Sequence, residues 1–177
     1  MRIGRQWRTT PDGLRCEEKP NSRLELPVEV RGSYELSLRL RRAGKDESAN
    51  IILPVGDSQV MLVIGGWAAQ GHRSGLERVR GLPGDRNAST VEGFTFKQGI
   101  DYDVAVIVQV RGPNASIAVS MDGQPYLKWE GPVSDLSMHP PWSMRRSRSL
   151  GLGAMTAMIY GKAELKLLDG EAWVREP

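Results

Sequence analysis

The chain has one cysteine, Cys16, in 177 residues. No intramolecular disulfide can form, and a cysteine-rich zinc site is excluded. Its two histidines, His72 and His139, stand 67 positions apart with no metal-ligand spacing. Aromatics make up only 6% of the residues, yet five of them are tryptophan. No window of a dozen residues holds helical periodicity, which argues against a helical bundle. The densest apolar stretch, residues 51–64, is broken by Gly56-Asp57-Ser58-Gln59. It is too short to span a bilayer, and no membrane partner is expected. The opening residues 1–7, Met-Arg-Ile-Gly-Arg-Gln-Trp, lack the apolar core of a signal peptide. The chain therefore reads as water-soluble. Its compartment, and whether it belongs to a longer multidomain parent, are not legible.

Charge is unevenly spread. Residues 1–45 carry 11 basic and 6 acidic side chains, a net +5, against 13 and 15 in the remainder, a net −2. Eighteen of the 24 basic residues are arginine. The densest cluster, Arg145-Arg146-Ser147-Arg148, is not interleaved with aromatics. Recognition of nucleic acid calls for a basic stripe or a known motif, so no nucleic-acid partner is expected.

Hydrophobic residues at 40% suffice for a core, and 20 glycines with 11 prolines suit many short strands joined by turns. Alternation with period two dominates. Tyr34, Leu36, Leu38 and Leu40 face one way and Glu35, Ser37, Arg39 and Arg41 the other. Residues 51–55 and 59–64 read as a buried hairpin. Residues 101–111 place Val104, Val106, Val108 and Val110 on one face. Residues 116–121 and 124–130 flank Asp122-Gly123, a pair suited to the positive φ angles of a type I′ turn. Further strands are expected at 14–17, 23–26, 150–152, 156–160 and 163–168, with single helical turns at 74–80 and 134–138. About ten strands without a substantial helix predict an all-β fold, a jelly-roll sandwich of two antiparallel sheets. The expected organisation is one domain over 1–177, with its core at about 14–170. Cys16 is expected to be a buried, inert thiol, and Trp129 a core residue. Trp7 and Trp173, near the two ends, are expected to pack together.

The run Tyr102-Asp103-Val104-Ala105-Val106-Ile107-Val108, followed by Ala118-Val119-Ser120-Met121-Asp122-Gly123-Gln124-Pro125-Tyr126, resembles the concanavalin A-like lectin/glucanase superfamily, in particular its laminin G-like domains. Residues 32–42, Leu150-Gly151-Leu152-Gly153 and 163–168 fit the same pattern, which is also similar to the 3-keto-disaccharide hydrolases. The resemblance implies a concanavalin A-like sandwich that recognises carbohydrate. The alternating carboxylate triplet of the glucanases is missing: Asp101 and Asp103 share a face, but the third position is apolar. Glucanase-type chemistry, which needs a paired acid and nucleophile, is not expected.

Two segments concentrate groups suited to a sugar. Residues 65–89 form a long loop containing Trp67, His72, Arg73, Asp85 and Asn87. Residues 138–145 place Trp142 and Arg145 beside a stiff Pro140-Pro141 pair. The ligand-binding candidates are Trp67, His72, Arg73, Asn87, Trp142 and Arg145, with tryptophan rings offered to apolar sugar faces. The competing reading is that the tryptophans close the core and the polar groups are simply hydrated. For an enzyme acting on a modified glycoside, the acid or base would come from His72, His139, Glu77 or Asp85. The third reading is a protein-interaction domain docking through a face bearing Arg39, Arg41, Gln109 and Arg111. No cofactor is expected. Calcium would need converging oxygen ligands, and Asp57, Asp85 and Asp122 are the available carboxylates. Asn87-Ala88-Ser89 and Asn114-Ala115-Ser116 match the glycosylation pattern by chance.

Overall fold

A computed structural model describes residues 6–175. The stretch inspected for a leader's apolar core, residues 1–7, lies mostly outside them. In chain order the strands are β1 (Trp7–Thr10), β2 (Gly13–Cys16), β3 (Ser22–Arg31), β4 (Tyr34–Arg42), β5 (Ala49–Val55), β6 (Ser58–Gly66), β7 (Arg73–Glu77), β8 (Val91–Glu92), β9 (Asp101–Arg111), β10 (Asn114–Met121), β11 (Gln124–Pro132), β12 (Ser149–Ala154), β13 (Met158–Leu167) and β14 (Glu171–Val174). They form two seven-stranded antiparallel sheets. The first runs β1-β2-β13-β4-β9-β10-β11 and the second β14-β3-β12-β5-β6-β7-β8. The expected jelly-roll sandwich is the observed architecture. Among the described residues no helix is long and apolar enough to cross a membrane.

Alternation determines which side chains meet between the sheets. Leu36, Leu38 and Leu40 of β4 and Val104, Val106 and Val108 of β9 enter the core from the first sheet. Ala49, Ile51, Leu53 and Val55 of β5 and Val60, Leu62 and Ile64 of β6 enter from the second. The Tyr34 hydroxyl donates to the Pro54 carbonyl at 2.9 Å, and that of Tyr160 donates to the Gly153 carbonyl, so both buried phenols tie one sheet to the other. Trp129 is buried in this core opposite Ile117, as expected. Cys16 is also buried: the Met158 N–H donates to its sulfur, and burial pushes its thiol up.

Several expectations need correction. Residues 73–77 form strand β7, not a helical turn. Gly75 there packs so close to the Gly84 carbonyl that a Cβ would lie 2.1 Å from its oxygen, a contact that polar local sequence does not announce. The turn near 134–138 is a short 3-10 turn at Val133–Asp135. The strands expected at 156–160 and 163–168 are one strand, β13, with a register shift between Tyr160 and Ala163. Trp7 and Trp173 do not pair. Trp7 is buried against Tyr160, with ring centroids 5.6 Å apart, whereas Trp173 lies on β14 at the edge of the other sheet and is 41% exposed.

The outer face of the first sheet is laced with ion pairs. Arg39 and Arg41 of β4 each grip a β9 carboxylate through two N–H groups, Arg39 on Asp103 at 2.8 and 3.1 Å and Arg41 on Asp101 at 2.7 and 2.9 Å. These hydrogen bonds hold both carboxyls below their usual range. Asp101 and Asp103 are therefore cross-strand anchors, and the two arginines are already neutralised by them. Gln109 and Arg111 lie at the opposite end of β9.

Candidate functional site

The outer face of the second sheet is unusual in being apolar. On β5 and β6 the outward positions include Ile52, Met61 and Val63, which form a second buried cluster with Trp142. This face is buried because the connection between β11 and β12 folds back over it. Outward positions 151 and 153 of β12 are glycines, and they leave room for that cover. A Cβ at Gly153 would stand 2.5 Å from the Trp142 ring, and one at Gly151 would stand 3.0 Å from the Met144 methyl. The Pro140–Trp142 turn is closed by the Trp142 N–H on the His139 carbonyl at 2.9 Å.

The segment after β7 lies alongside this cover. It is stitched to the β11–β12 connection by backbone hydrogen bonds: Arg78 N–H to the Ser137 carbonyl at 2.9 Å, Ser137 N–H to the Arg78 carbonyl at 3.2 Å, and Arg80 N–H to the Asp135 carbonyl at 2.7 Å. Trp67 closes the end of β6. Its backbone is left-handed at φ 52°, a strained state for a bulky residue. Its carbonyl receives the Gln70 and His72 N–H groups, which anchor the turn.

Over β5 and β6 lies a groove of about 370 Å³. Trp67, Glu77, His139 and Trp142 line it together, so the two segments singled out in the sequence share one cleft. Asn50 and Ser48 contribute from β5 and its entry, Met61 from β6, and Met155, Glu47 and Asn21 from the rim. Asn50 is 1% exposed, and its Oδ1 has no hydrogen-bond partner. A buried acceptor left unmatched costs about 1–3 kcal/mol, so the groove floor holds an unmet demand for a donor.

Three side chains form a polar chain along one wall. Glu77 Oε2 accepts the Gly84 N–H at 2.5 Å, and its Oε1 is 3.9 Å from Arg78 Nε. The Arg78 guanidinium lies 3.1 Å from His139 Nδ1. A guanidinium only donates, so His139 Nδ1 accepts and the ring's proton sits on Nε2. Glu77 therefore accepts one N–H through Oε2 and keeps Oε1 free of a hydrogen bond, which leaves this group able to accept another.

The remaining sequence candidates lie outside the groove lining and are engaged elsewhere. His72 Nε2 is 2.9 Å from Asp46 Oδ2. A hydrogen bond from the Thr95 hydroxyl, with the His72 contact, holds the Asp46 carboxyl below its usual range. Arg73 donates to the Asp85 carbonyl at 2.9 Å and pairs with Glu92 at 3.1 Å. Asp85 is buried, with Oδ1 3.4 Å from Arg86 Nε. The Asn87 amide is fully occupied: Nδ2 donates to the carbonyls of Leu76, Leu82 and Pro83, and Oδ1 accepts from the Ser89 N–H and hydroxyl. Arg145 has an exposed side chain and donates its backbone N–H to Glu25 at 2.8 Å. Trp142, expected as an exposed platform, is only 4% exposed and serves as a wall, because its ring is pressed onto Gly153. Among the described residues no group of three or more His, Cys, Asp or Glu side chains is placed to hold a metal ion. Asp57, Asp85 and Asp122 sit in three separate connections, between β5 and β6, β7 and β8, and β10 and β11.

Asn50 escaped the sequence reading although a signal was present. It is the one polar residue in the run Ala49-Asn50-Ile51-Ile52-Leu53-Pro54-Val55, a strand buried along its whole length.

No protein-family model matches the chain, and no curated protein matches it in sequence. Solved structures do match its fold. Carbohydrate-binding module CBM66 from Bacillus subtilis is similar with a TM-score of 0.60 at 9% identity, over 93% of this chain and 93% of its own. A Bacillus subtilis protein of unknown function with a galectin-like fold gives 0.63 at 11% identity, over 91% and 86%. The Caenorhabditis elegans galectin LEC-6 gives 0.51 at 13% identity, over 92% and 97%. At these identities the likeness establishes the fold: a lectin-like β-sandwich.

Proposed function

We propose that this chain is a carbohydrate-recognition module that binds without catalysis, and that its ligand lies in the groove over β5 and β6. The observation that carries this reading is Asn50 Oδ1, a buried acceptor with no partner at the base of a cleft flanked by Trp67. Sugars combine apolar ring faces with hydroxyl donors. Trp67, half-buried in the groove, supplies a ring for the apolar face, while Asn50 and Glu77 supply acceptors for hydroxyls. His139 Nε2–H is the matching donor to a ring or hydroxyl oxygen. The fold supports the reading by analogy, since CBM66 and LEC-6 are named as a carbohydrate-binding module and a galectin.

A hydrolase resembling the 3-keto-disaccharide hydrolases is the second reading, favoured by Glu77 and His139 sharing the groove. The hydrogen bonding counts against it. Glu77 Oε2 is held by the Gly84 N–H, and His139 has Nδ1 engaged by Arg78 with no orienting acid behind it among the described residues.

A glycan array followed by calorimetric titration tests the proposal. Trp67→Ala and Asn50→Leu should each weaken binding of the selected glycan at least about tenfold while urea unfolding stays cooperative. Absence of any glycan response, or undiminished binding in both variants, would overturn it. Turnover of a keto-glycoside that disappears in Glu77→Gln would replace it with the hydrolase reading.

A further inference from the structure

Resting on that reading, we infer that the groove selects a basic amino sugar, a glycan unit carrying a free ammonium group, over neutral and acidic sugars. The polar groups lining the groove include two carboxylates, Glu47 and Glu77, and the unpartnered Oδ1 of Asn50, which is 1% exposed. No lysine or arginine lines it, although 18 of the chain's residues are arginine. The other polar groups of the lining, among them the Asn21 and Asn50 amides and the His139 ring, are neutral, so a ligand entering here meets negative charge with no lining cation against it.

The nearest cations do not reverse that balance. Arg78, outside the groove lining, places Nη2 3.1 Å from His139 Nδ1 and Nε 3.9 Å from the Glu77 carboxylate, so its charge offsets Glu77 alone and at long range. Arg23 of β3, also outside the lining, donates to the Pro141 carbonyl. Glu47 forms no ion pair among the described residues. One carboxylate is therefore only loosely compensated and the other is uncompensated.

An ammonium meets this environment in three ways. It has three donors and no acceptor, which suits an orphaned amide oxygen beside carboxylates. Its hydrogen bonds to carboxylate are charge-assisted and stronger than those of a hydroxyl. Trp67 adds an aromatic face, which attracts a cation as well as the apolar side of a pyranose. A uronate would place its carboxylate against Glu47 and Glu77, and an N-acetyl group would mask the amine.

Calorimetric titration with four probes tests this: a β-1,4-linked glucosamine tetrasaccharide, its N-acetylated counterpart, cellotetraose and a galacturonate tetrasaccharide. The glucosamine oligomer should bind at least about tenfold more tightly than the N-acetylated one or cellotetraose, and the galacturonate should not bind. That preference should shrink as salt rises. Glu47→Gln, at the half-buried rim, should cut the preference several-fold with little effect on cellotetraose binding. Glu77→Gln, which also weakens an acceptor for hydroxyls, should lower binding of both oligomers and reduce the preference, provided the protein still unfolds cooperatively. Equal or weaker binding of the glucosamine oligomer, binding of galacturonate, or a preference untouched by Glu47→Gln would overturn the inference and leave carbohydrate recognition standing. Failure of all four probes and of the glycan array would remove both.

Discussion

Replacing Gly153 with alanine probes the packing that builds the groove. The new methyl would sit 2.5 Å from Trp142 Cζ3 and 3.0 Å from Cε3. Carbon atoms pack at about 3.5–4.0 Å, so the indole must retreat by about 1 Å. Complete expulsion of a tryptophan exposes about 150–250 Å², worth about 4–6 kcal/mol. That figure is an upper bound, because Trp142 sits on a short turn that can slide. Overpacking of this kind costs about 1–3 kcal/mol. Gly153 does not occupy the left-handed region, so alanine also recovers about 0.4–1 kcal/mol by restricting the unfolded chain. The net expectation is a loss of about 1–2 kcal/mol. Gly151→Ala is the control: its methyl would meet the Met144 methyl at 3.0 Å and Ile52 Cβ at 3.2 Å, and the flexible thioether can move aside. It should change stability by no more than about 0.5 kcal/mol. Urea unfolding followed by tryptophan fluorescence measures both. If Gly153→Ala is as stable as the parent, or Gly151→Ala costs more, Trp142 is not held against β12 as described.

Asn87→Ala should cost about 1–3 kcal/mol and speed amide exchange across residues 82–90, because three carbonyls lose their donor; unchanged exchange would show that this amide does not order the loop. Cys16 should resist a thiol reagent in the native protein and react at the rate of unfolding, since burial raises its thiol and excludes the reagent; rapid native labelling would contradict that. Burial pushes the Tyr34 and Tyr160 hydroxyls well above their ordinary value of 10.0, so the folded state favours their neutral forms. The stability this confers is intact below pH 10.0 and lost as pH rises beyond it toward the folded values. Tyrosinate absorbance from these two residues should therefore appear only with unfolding, and ordinary titration in an intact fold would refute their burial.

The sandwich was legible because half-buried strands alternate, and β4, β9 and β10 do so almost without interruption. The Asp122-Gly123 turn declared its hairpin through positive φ at both residues. What escaped was long-range in origin. β7 is polar and glycine-bearing, and it is a strand because Gly75 meets Gly84 and Ser74 accepts the Tyr126 hydroxyl at 2.6 Å. The site was half legible. Trp67, Glu77, His139 and Trp142 stand in segments whose composition marked them, but no local pattern brings residue 77 to residue 139. Asn87 and His72 looked available in the sequence and are used by neighbours, Asn87 by its own loop and His72 by Asp46. Trp142 was read as a platform because its proline-rich context is stiff, whereas two glycines on β12 open a bed for the cover it belongs to.

The most direct test is a nitrogen-15 NMR titration of the intact chain with the glucosamine tetrasaccharide and cellotetraose. Shifts are expected to converge on the backbone and side-chain amide of Asn50, the Trp67 indole and the segment around His139. Shifts confined to the opposite sheet, around Ser37, Ala105 and Ser120, would place recognition on the wrong face and contradict that expectation.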